Sequence, residues 1–303
     1  MSVWFITGAS RGFGLEITKE ALSRGDSVVA TARNPQSVLD AIPDGGDRLL
    51  SVGVDVSVPE QVTAAVDAAA ERFGRIDVLV NNAGRGLVGA VEETSDAEAR
   101  ALFDVNVFGL LAVTRAVLPH MRAARSGLVV NLSSVGGFVA WPGWGVYAAT
   151  KFAVEALSEA MTHELAPLGI KSVAIEPGPF RTNFLDGSSL SVVQTRLDDY
   201  SATAGSARDW AVDTNYDQDG DPVKAAKIIV DLASYDELPE RIQLGATAVY
   251  DVAAKLQRTA SDQQQWWSIS LSTDYYAAPV DAPPLRPAKS ASASASNEAI
   301  ARP

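Results

Sequence analysis

Cysteine is absent from this 303-residue sequence, and histidine occurs only twice, as His120 and His163. The first absence excludes disulfides, thiolate metal sites and cysteine nucleophiles. The second leaves too little imidazole for a zinc site or a histidine triad. Unbroken apolar runs of the length that spans a bilayer, about 18 residues or more, are also missing. The apolar start, residues 2–7, meets a glycine turn too soon to serve as the core of a signal peptide. Positive charge is in deficit: Lys+Arg 25 against Asp+Glu 37 gives a net charge of −12. Nucleic acid or an anionic membrane surface would repel such a chain. What is present is apolar residue, 47% of the total, enough for a large core. The expectation is an acidic, cytoplasmic, enzyme-sized globule that works without thiols and nearly without imidazole.

Short apolar runs alternate with longer amphipathic ones. Residues 3–7, 27–31, 49–54, 78–81, 128–132 and 171–176 read as strands buried on both faces. Helical patterns fall near 14–23, 62–73, 96–123 and 147–166. This alternation predicts an α/β fold: a doubly wound parallel sheet of Rossmann type in three α/β/α layers, with right-handed crossovers. Ser57 with Pro59 and Glu60, and Asp221 with Pro222, read as helix starts with proline in the first turn. The second opens a helix over 223–233. Regular patterning fails from about 184 to 220, a connection long enough to be functional or mobile. A last strand at 242–244 is followed by helical stretches at 246–257 and 263–271. Three parts follow: a single domain over 1–245 that includes the 184–220 insert as a lid, a helical extension over 246–276, and a tail over 277–303. The tail is rich in Pro, Ala and Ser and reads as disordered.

Gly8, Ser10, Arg11, Gly12, Phe13 and Gly14 lie between the first strand and the first helix. Glycines there let the backbone approach a pyrophosphate, and the helix N-terminus offers it free N–H groups. A merely tight turn is the alternative, weakened by the position after the first strand of an α/β series. The second strand ends Ala30-Thr31-Ala32-Arg33, with a cation where NAD-binding folds place an acid for the ribose 2′-hydroxyl. Arg33, with Arg11 as a second cation, points to a 2′-phosphate and hence to NADP(H) over NAD(H); two solvated surface arginines are the competing reading. Asp55, next to Val56 after the third strand, can accept a hydrogen bond from an adenine amino group. Asn82, Ala83 and Gly84 follow the fourth strand, where small residues let backbone lie against a ribose, unless they form only an Asn-rich turn.

Tyr147 and Lys151 stand four apart on one helical face. The ammonium is expected to lower the phenol from its reference of about 10 toward neutrality and make it a usable acid or base. Ser133 and Ser134 end the fifth strand, and a hydroxyl there can polarise a carbonyl that the tyrosine protonates. Alone, the Tyr–Lys spacing describes any solvated helix pair; together with the glycine turn, Asn81-Asn82-Ala83-Gly84 and the strand-end serines, it describes a site.

With these motifs in this order the chain resembles the short-chain dehydrogenase/reductase family, of the type with Y-x-x-x-K and N-N-A-G motifs. The likeness covers residues 2–245 and includes Pro177-Gly178-Pro179, the family's turn beside the nicotinamide, and Thr182 after it. The resemblance implies that Tyr147 is the general acid/base and that Lys151 binds the nicotinamide ribose. It implies that Ser134 positions the substrate oxygen and that Asn106 holds a water relaying protons to Lys151. An internal helix-kink hydrogen bond is a compatible second role for Asn106. Glu176-Pro-Gly-Pro-Phe-Arg-Thr182 further resembles the 17β-hydroxysteroid and retinol dehydrogenase subgroup. A small-molecule carbonyl or alcohol is then the substrate, the protein a dimer or tetramer, and the activity that of a carbonyl reductase or alcohol dehydrogenase. The alternatives are a family member using the site for epimerisation or a lyase step, and a cofactor-sensing regulator without turnover.

Trp141, Trp144, Phe184 and Trp210 flank the expected site and imply a roomy apolar pocket, unless they only pack the lid on the body. Asp213, Asn215, Asp217, Asp219 and Asp221 alternate as calcium ligands do, but Gln218 stands where an EF-hand loop needs glycine. A solvated acidic loop is expected there, and no metal. His120 and His163 fall in long helices and read as structural or surface residues. Trp266 and Trp267 have no assigned role.

Overall fold

The computed structural model describes residues 1–275; the tail expected over 277–303 lies outside the described residues. In chain order the elements are β1 (Val3–Thr7), α1 (Gly12–Ser23), β2 (Ser27–Ala32), α2 (Gln36–Ala41), β3 (Leu49–Gly53), α3 (Pro59–Phe73), β4 (Val78–Asn81), β5 (Gly86–Val88), α4 (Asp96–Phe103) and α5 (Leu110–Ala124). They continue with β6 (Gly127–Leu132), α6 (Gly145–Leu165), β7 (Ile170–Pro177), β8 (Leu190–Val192), α7 (Ser206–Asp213), α8 (Pro222–Asp231), β9 (Arg241–Leu244) and α9 (Ala246–Leu271). The chain divides into two compact units, one over residues 1–252 and one from 253 onward. Of the second, residues 253–271 continue α9.

Seven strands form one sheet in the order β3-β2-β1-β4-β6-β7-β9, and every pairing is parallel. The strand order reverses between β1 and β4, which opens a crevice at their carboxyl ends where such sheets take ligands. Strand alternation sorts the core into two layers. Trp4, Ile6, Val28 and Ala30 face one side with Ile17 of α1 and Ile229 of α8. Phe5, Val29, Leu79 and Val129 face the other with Val66 of α3 and Val113 and Val117 of α5. Each such side chain contributes about 1.5–3 kcal/mol by leaving water. Strands β3 and β9 lie at the edges and are only half-buried, so the expectation of strands covered on both faces holds for the interior ones alone.

Local chemistry sets the helix ends. Ser95 and Glu98 form a reciprocal capping box on α4, and Asp221 accepts from Val223 N and Lys224 N at the start of α8. Helix α3 begins at Pro59 without a side-chain cap; the Ser57 hydroxyl turns instead to Asp55.

Four details depart from the sequence reading. The helix expected over 96–123 contains a π-helical turn, Asp104–Gly109, between α4 and α5. Within Asp96–Ala124 an 18-residue stretch has a mean hydropathy of 1.7, so this helix is long and apolar enough to cross a membrane by length and composition. It contains no unbroken apolar run of that length because Asp104, Asn106, Thr114 and Arg115 interrupt the pattern, and its inner face packs into the sheet core. The two stretches at 246–257 and 263–271 are one helix, α9, because nothing at 258–262 breaks it. The 184–220 stretch is not irregular throughout: β8 pairs in parallel with β5, and α7 follows. Short strands and a helix of eight residues carry too little periodicity to be seen.

Candidate active site

The glycine turn sits at the crevice. Gly8 and Gly12 have φ of +66° and +54°, a region that side chains other than glycine rarely adopt. A Cβ on Gly14 would lie 2.4 Å from Gly8 O and 2.5 Å from Asn82 Nδ2. Asn82 donates from that amide to Thr7 O at 2.8 Å and Gly8 O at 3.0 Å, while Thr7 Oγ1 accepts from Asn82 N and Ala83 N. The end of β4 therefore clamps the turn. No side chain caps the N-terminus of α1, and no acid stands in its first turn, which suits that end to an anion. The Thr182 side chain lies across from Gly12, 3.5 Å from where a Cβ would stand. Phe13 meets Phe180 at 5.1 Å between ring centroids, and Gly178 is fixed by donating to Leu244 O.

The expected adenosine end is partly altered. Val56 is buried against Gly109. Asp55 accepts from Ser57 N and Ser57 Oγ on one carboxylate oxygen, and these bonds, with the charge of Arg33 nearby, hold its carboxyl below the usual range. Arg33 is exposed just beyond β2. Arg11 does not join it: its guanidinium donates to Ser188 O at 2.9 Å, beside Asp186 in the lid. Arg33 is the cation at the end of β2, and Arg11 reaches instead a backbone carbonyl in a segment whose placement the sequence does not reveal.

At the other end of the crevice, α6 presents Tyr147 and Lys151, both buried. Lys151 Nζ donates to Leu132 O at 2.7 Å and lies 6.0 Å from the Tyr147 ring centroid. Ser134 Oγ accepts from Gly136 N at 3.0 Å and is in hydrogen-bonding reach of the phenol. The anticipated lowering of the phenol is not what this environment produces. Burial pushes Tyr147 up to about 12, with only Ser134 pulling the other way, and burial pushes Lys151 down to about 8. Desolvation is the largest cause for each group.

Asn106 lies buried in the π-helical turn. Its Oδ1 accepts from Arg85 N at 2.9 Å, and Nδ2 donates to Arg85 O at 2.9 Å and Thr150 Oγ1 at 3.0 Å. This is the internal hydrogen bonding expected as its second role, and it ties the π-turn to α6.

A cavity of about 650 Å³ joins these groups, with Phe13, Asn82, Gly84, Ser134, Tyr147 and Lys151 among its lining residues. All four aromatics expected at the pocket line it. Trp144 meets Tyr147 edge-on at 5.8 Å and Trp210 at 6.2 Å, and Phe184 lies 5.5 Å from Tyr147. The lid that carries Phe184 and Trp210 is anchored by the buried Glu93, which accepts from Arg208, Ala90 N and Leu197 N. Arg208 and those amides hold its carboxyl down at about 2. Glu93, together with Arg85, Leu185, Gln218 and Thr247 of the cavity lining, escaped the sequence reading, since none stands in a motif. Neither histidine lines the cavity; His163 is on the surface, 3.4 Å from Glu240. In the acidic stretch Asp221 caps α8 and Asn215 donates to Asp186. Among the described residues no group of three or more His, Cys, Asp or Glu is arranged to hold a metal ion.

A crossover crevice with a glycine cradle and an uncapped helix end, leading to a half-buried Ser134 beside the buried Tyr147 and Lys151, defines an oxidoreductase of Rossmann type. The chain belongs to the short chain dehydrogenase family, which matches residues 2–190. It is 36% identical to Oxidoreductase BOA17 of Botryotinia fuckeliana over 272 residues, 89% of this chain and 98% of that protein. It is 41% identical to a 3-ketodihydrosphingosine reductase of Bacteroides thetaiotaomicron over 197 residues, 65% of this chain and 70% of that one. Among solved structures, a short-chain dehydrogenase from Streptomyces avermitilis superposes with a TM-score of 0.84 at 40% identity, covering 90% of this chain and 100% of that one.

Proposed function

We propose that this protein is an NADP(H)-dependent carbonyl reductase or alcohol dehydrogenase acting on a hydrophobic ketone or secondary alcohol. The observation that carries the reading is the meeting of the Ser134 and Tyr147 hydroxyls at an apolar cavity walled by Trp141, Trp144, Phe184 and Trp210. A volume of about 650 Å³ is within the range of pockets that enclose small ligands. The Bacteroides relative, a 3-ketodihydrosphingosine reductase by name, supports a ketone among the substrates.

Gly8, Ser10, Gly12, Phe13 and Gly14 would hold the cofactor's pyrophosphate. Arg33, Asp55 and Val56 would hold its adenosine end, and Asn82, Ala83, Gly84, Pro177, Gly178 and Thr182 the ribose and nicotinamide. When bound, the nicotinamide supplies or accepts the hydride. The chain's own residues orient the substrate and manage the proton. Ser134 aligns the substrate oxygen, and Tyr147 donates its phenolic proton to that oxygen as the carbonyl carbon is reduced; oxidation runs the same transfer backward. A phenol held protonated by burial is suited to the donor role. Lys151, four residues on, lends positive charge to the phenolate that forms and a donor to the ribose.

The test is a panel of carbonyls and alcohols assayed with NADPH and NADH. Turnover of apolar ketones with NADPH supports the reading; binding of NADPH without turnover across the panel would overturn it in favour of a sensor. Arg33→Asp is expected to raise the KM for NADPH roughly tenfold more than that for NADH, through loss of one charge-assisted phosphate contact. Equal changes would refute the 2′-phosphate assignment. Trp144→Ala is expected to cost bulky ketones about 10–100-fold in kcat/KM, as lost aromatic packing of about 1.5–3 kcal/mol implies, and small ketones far less. Equal losses would remove Trp144 from the substrate pocket.

A further inference from the structure

One cluster of buried charge has no part in the chemistry above. On α6 the side chains of Tyr147, Lys151 and Glu155 follow one another at four-residue intervals, on one face. The first two line the cavity; Glu155 is one turn beyond them, buried, and does not. Around it stand groups from every element packed there. Ser133 comes from the end of β6, Glu176 from β7 and Arg241 from β9, with Lys151 and Glu159 a turn away on α6 itself. Arg241 Nε approaches Glu155 Oε2 at 3.6 Å, but its guanidinium is shared with Glu159 and Glu240. Gln243 Nε2 donates to one oxygen of Glu176, which is completely buried.

After these contacts both oxygens of Glu155, Oε1 of Glu176 and Oγ of Ser133 are buried without a hydrogen bond of good geometry, although Ser133 and Glu176 both stand close enough to act on Glu155. Buried acceptors left unpaired cost free energy, and two adjoining carboxylates facing a shared guanidinium also repel. A single proton relieves both faults, since a protonated carboxyl becomes a donor to its neighbour. We propose that Glu155 and Glu176 hold one proton between them, and that Glu155 is a positioning residue whose charge, once that proton leaves to solvent, keeps Lys151 an ammonium. The proposal rests on the reading that Lys151 serves Tyr147.

The direction of each effect is consistent. Burial, with the charge of Glu176, pushes Glu155 up to about 7. Burial pushes Lys151 down to about 8, and Glu155 is the group that opposes this. Below the first value Glu155 is protonated, and Lys151 needs no help. Above it the carboxylate forms just where the ammonium would begin to be lost, and the positive charge survives further into the alkaline range. Glu155→Gln imitates the protonated carboxyl permanently, so its effect must appear only at the alkaline side.

Lys151 can be titrated in the unliganded protein by NMR of isotope-labelled lysine, its signal assigned by Lys151→Arg. Glu155→Gln is expected to lower the midpoint by about one pH unit, a tenfold loss of proton affinity. In turnover, kcat should match the parent near pH 6 and fall about tenfold near pH 9. An unmoved Lys151 midpoint, or a loss of kcat equal at all pH values, would overturn the proposal. Should Glu155→Gln fail to fold, Glu176→Gln tests the shared proton. Titration of labelled glutamate should then find the Glu155 midpoint displaced downward, and an unchanged midpoint would overturn it. A shifted Lys151 midpoint in a protein that reduces no carbonyl would refute the proposed substrate reading and leave the coupling standing.

Discussion

Tyr147→Phe is expected to lower kcat by about 10²–10⁴-fold, the range that a positioned general acid contributes, with cofactor affinity nearly unchanged. The substitution removes one oxygen and keeps the ring, so the edge contact with Trp144 at 5.8 Å and the contact with Phe184 at 5.5 Å persist. Cavity shape and lid packing therefore survive while the proton donor is lost. Ser134 is a poor replacement, because an aliphatic hydroxyl is a far weaker acid than a phenol and its proton serves to align the substrate oxygen. Steady-state kinetics on the best ketone of the panel gives kcat, and cofactor quenching of the tryptophan fluorescence gives affinity. Residual turnover within a few-fold of the parent would show that another group delivers the proton.

The second large effect is expected at the other end of the crevice. Gly14→Ala places a methyl 2.4 Å from Gly8 O and 2.5 Å from Asn82 Nδ2. Neither neighbour can retreat easily, since Gly8 is backbone and the Asn82 amide is held by bonds to Thr7 O and Gly8 O. Overpacking of this kind costs about 1–3 kcal/mol. Here it opens the turn that faces the cofactor, so it should appear as a loss of about 5- to 100-fold in NADPH affinity. Fluorescence titration measures the loss, and circular dichroism checks that the sheet is intact. Unchanged affinity would mean that the turn does not cradle a dinucleotide.

Much of this was legible in the residues. Runs such as Val3–Thr7 and Val78–Asn81 read as strands because a parallel sheet covered by helices permits no polar face, and the structure has them where the pattern put them. The glycine turn, Asn82, Ser134, Tyr147 and Lys151 were legible because each belongs to a local spacing. The contact of Arg11 was not legible, because its partner, Ser188, lies 177 positions away in a segment without period. The ionisation of Tyr147 was misjudged for a related reason. Spacing revealed the nearby ammonium, but the desolvation that dominates depends on what the lid brings over the ring. Glu155 was within reach, four residues past Lys151, yet its meaning needed Glu176 and Arg241 from two other strands.

The π-helical turn at Asp104–Gly109 has a consequence for how this chain tolerates change. It houses one residue more than an α-turn would and absorbs that residue locally. Leu102 on α4 is buried on one side of it, and Val113, Val117 and Met121 on α5 are buried on the other. Deleting a single position there would let the helix run on as regular α-structure with those two faces still in phase. The stripe of α5 that meets the sheet would keep its place, and the loss would fall on the turn itself, where Asn106 bonds Arg85 and Thr150. The widened turn thus confines the effect of one residue more or less to the neighbourhood of Asn106.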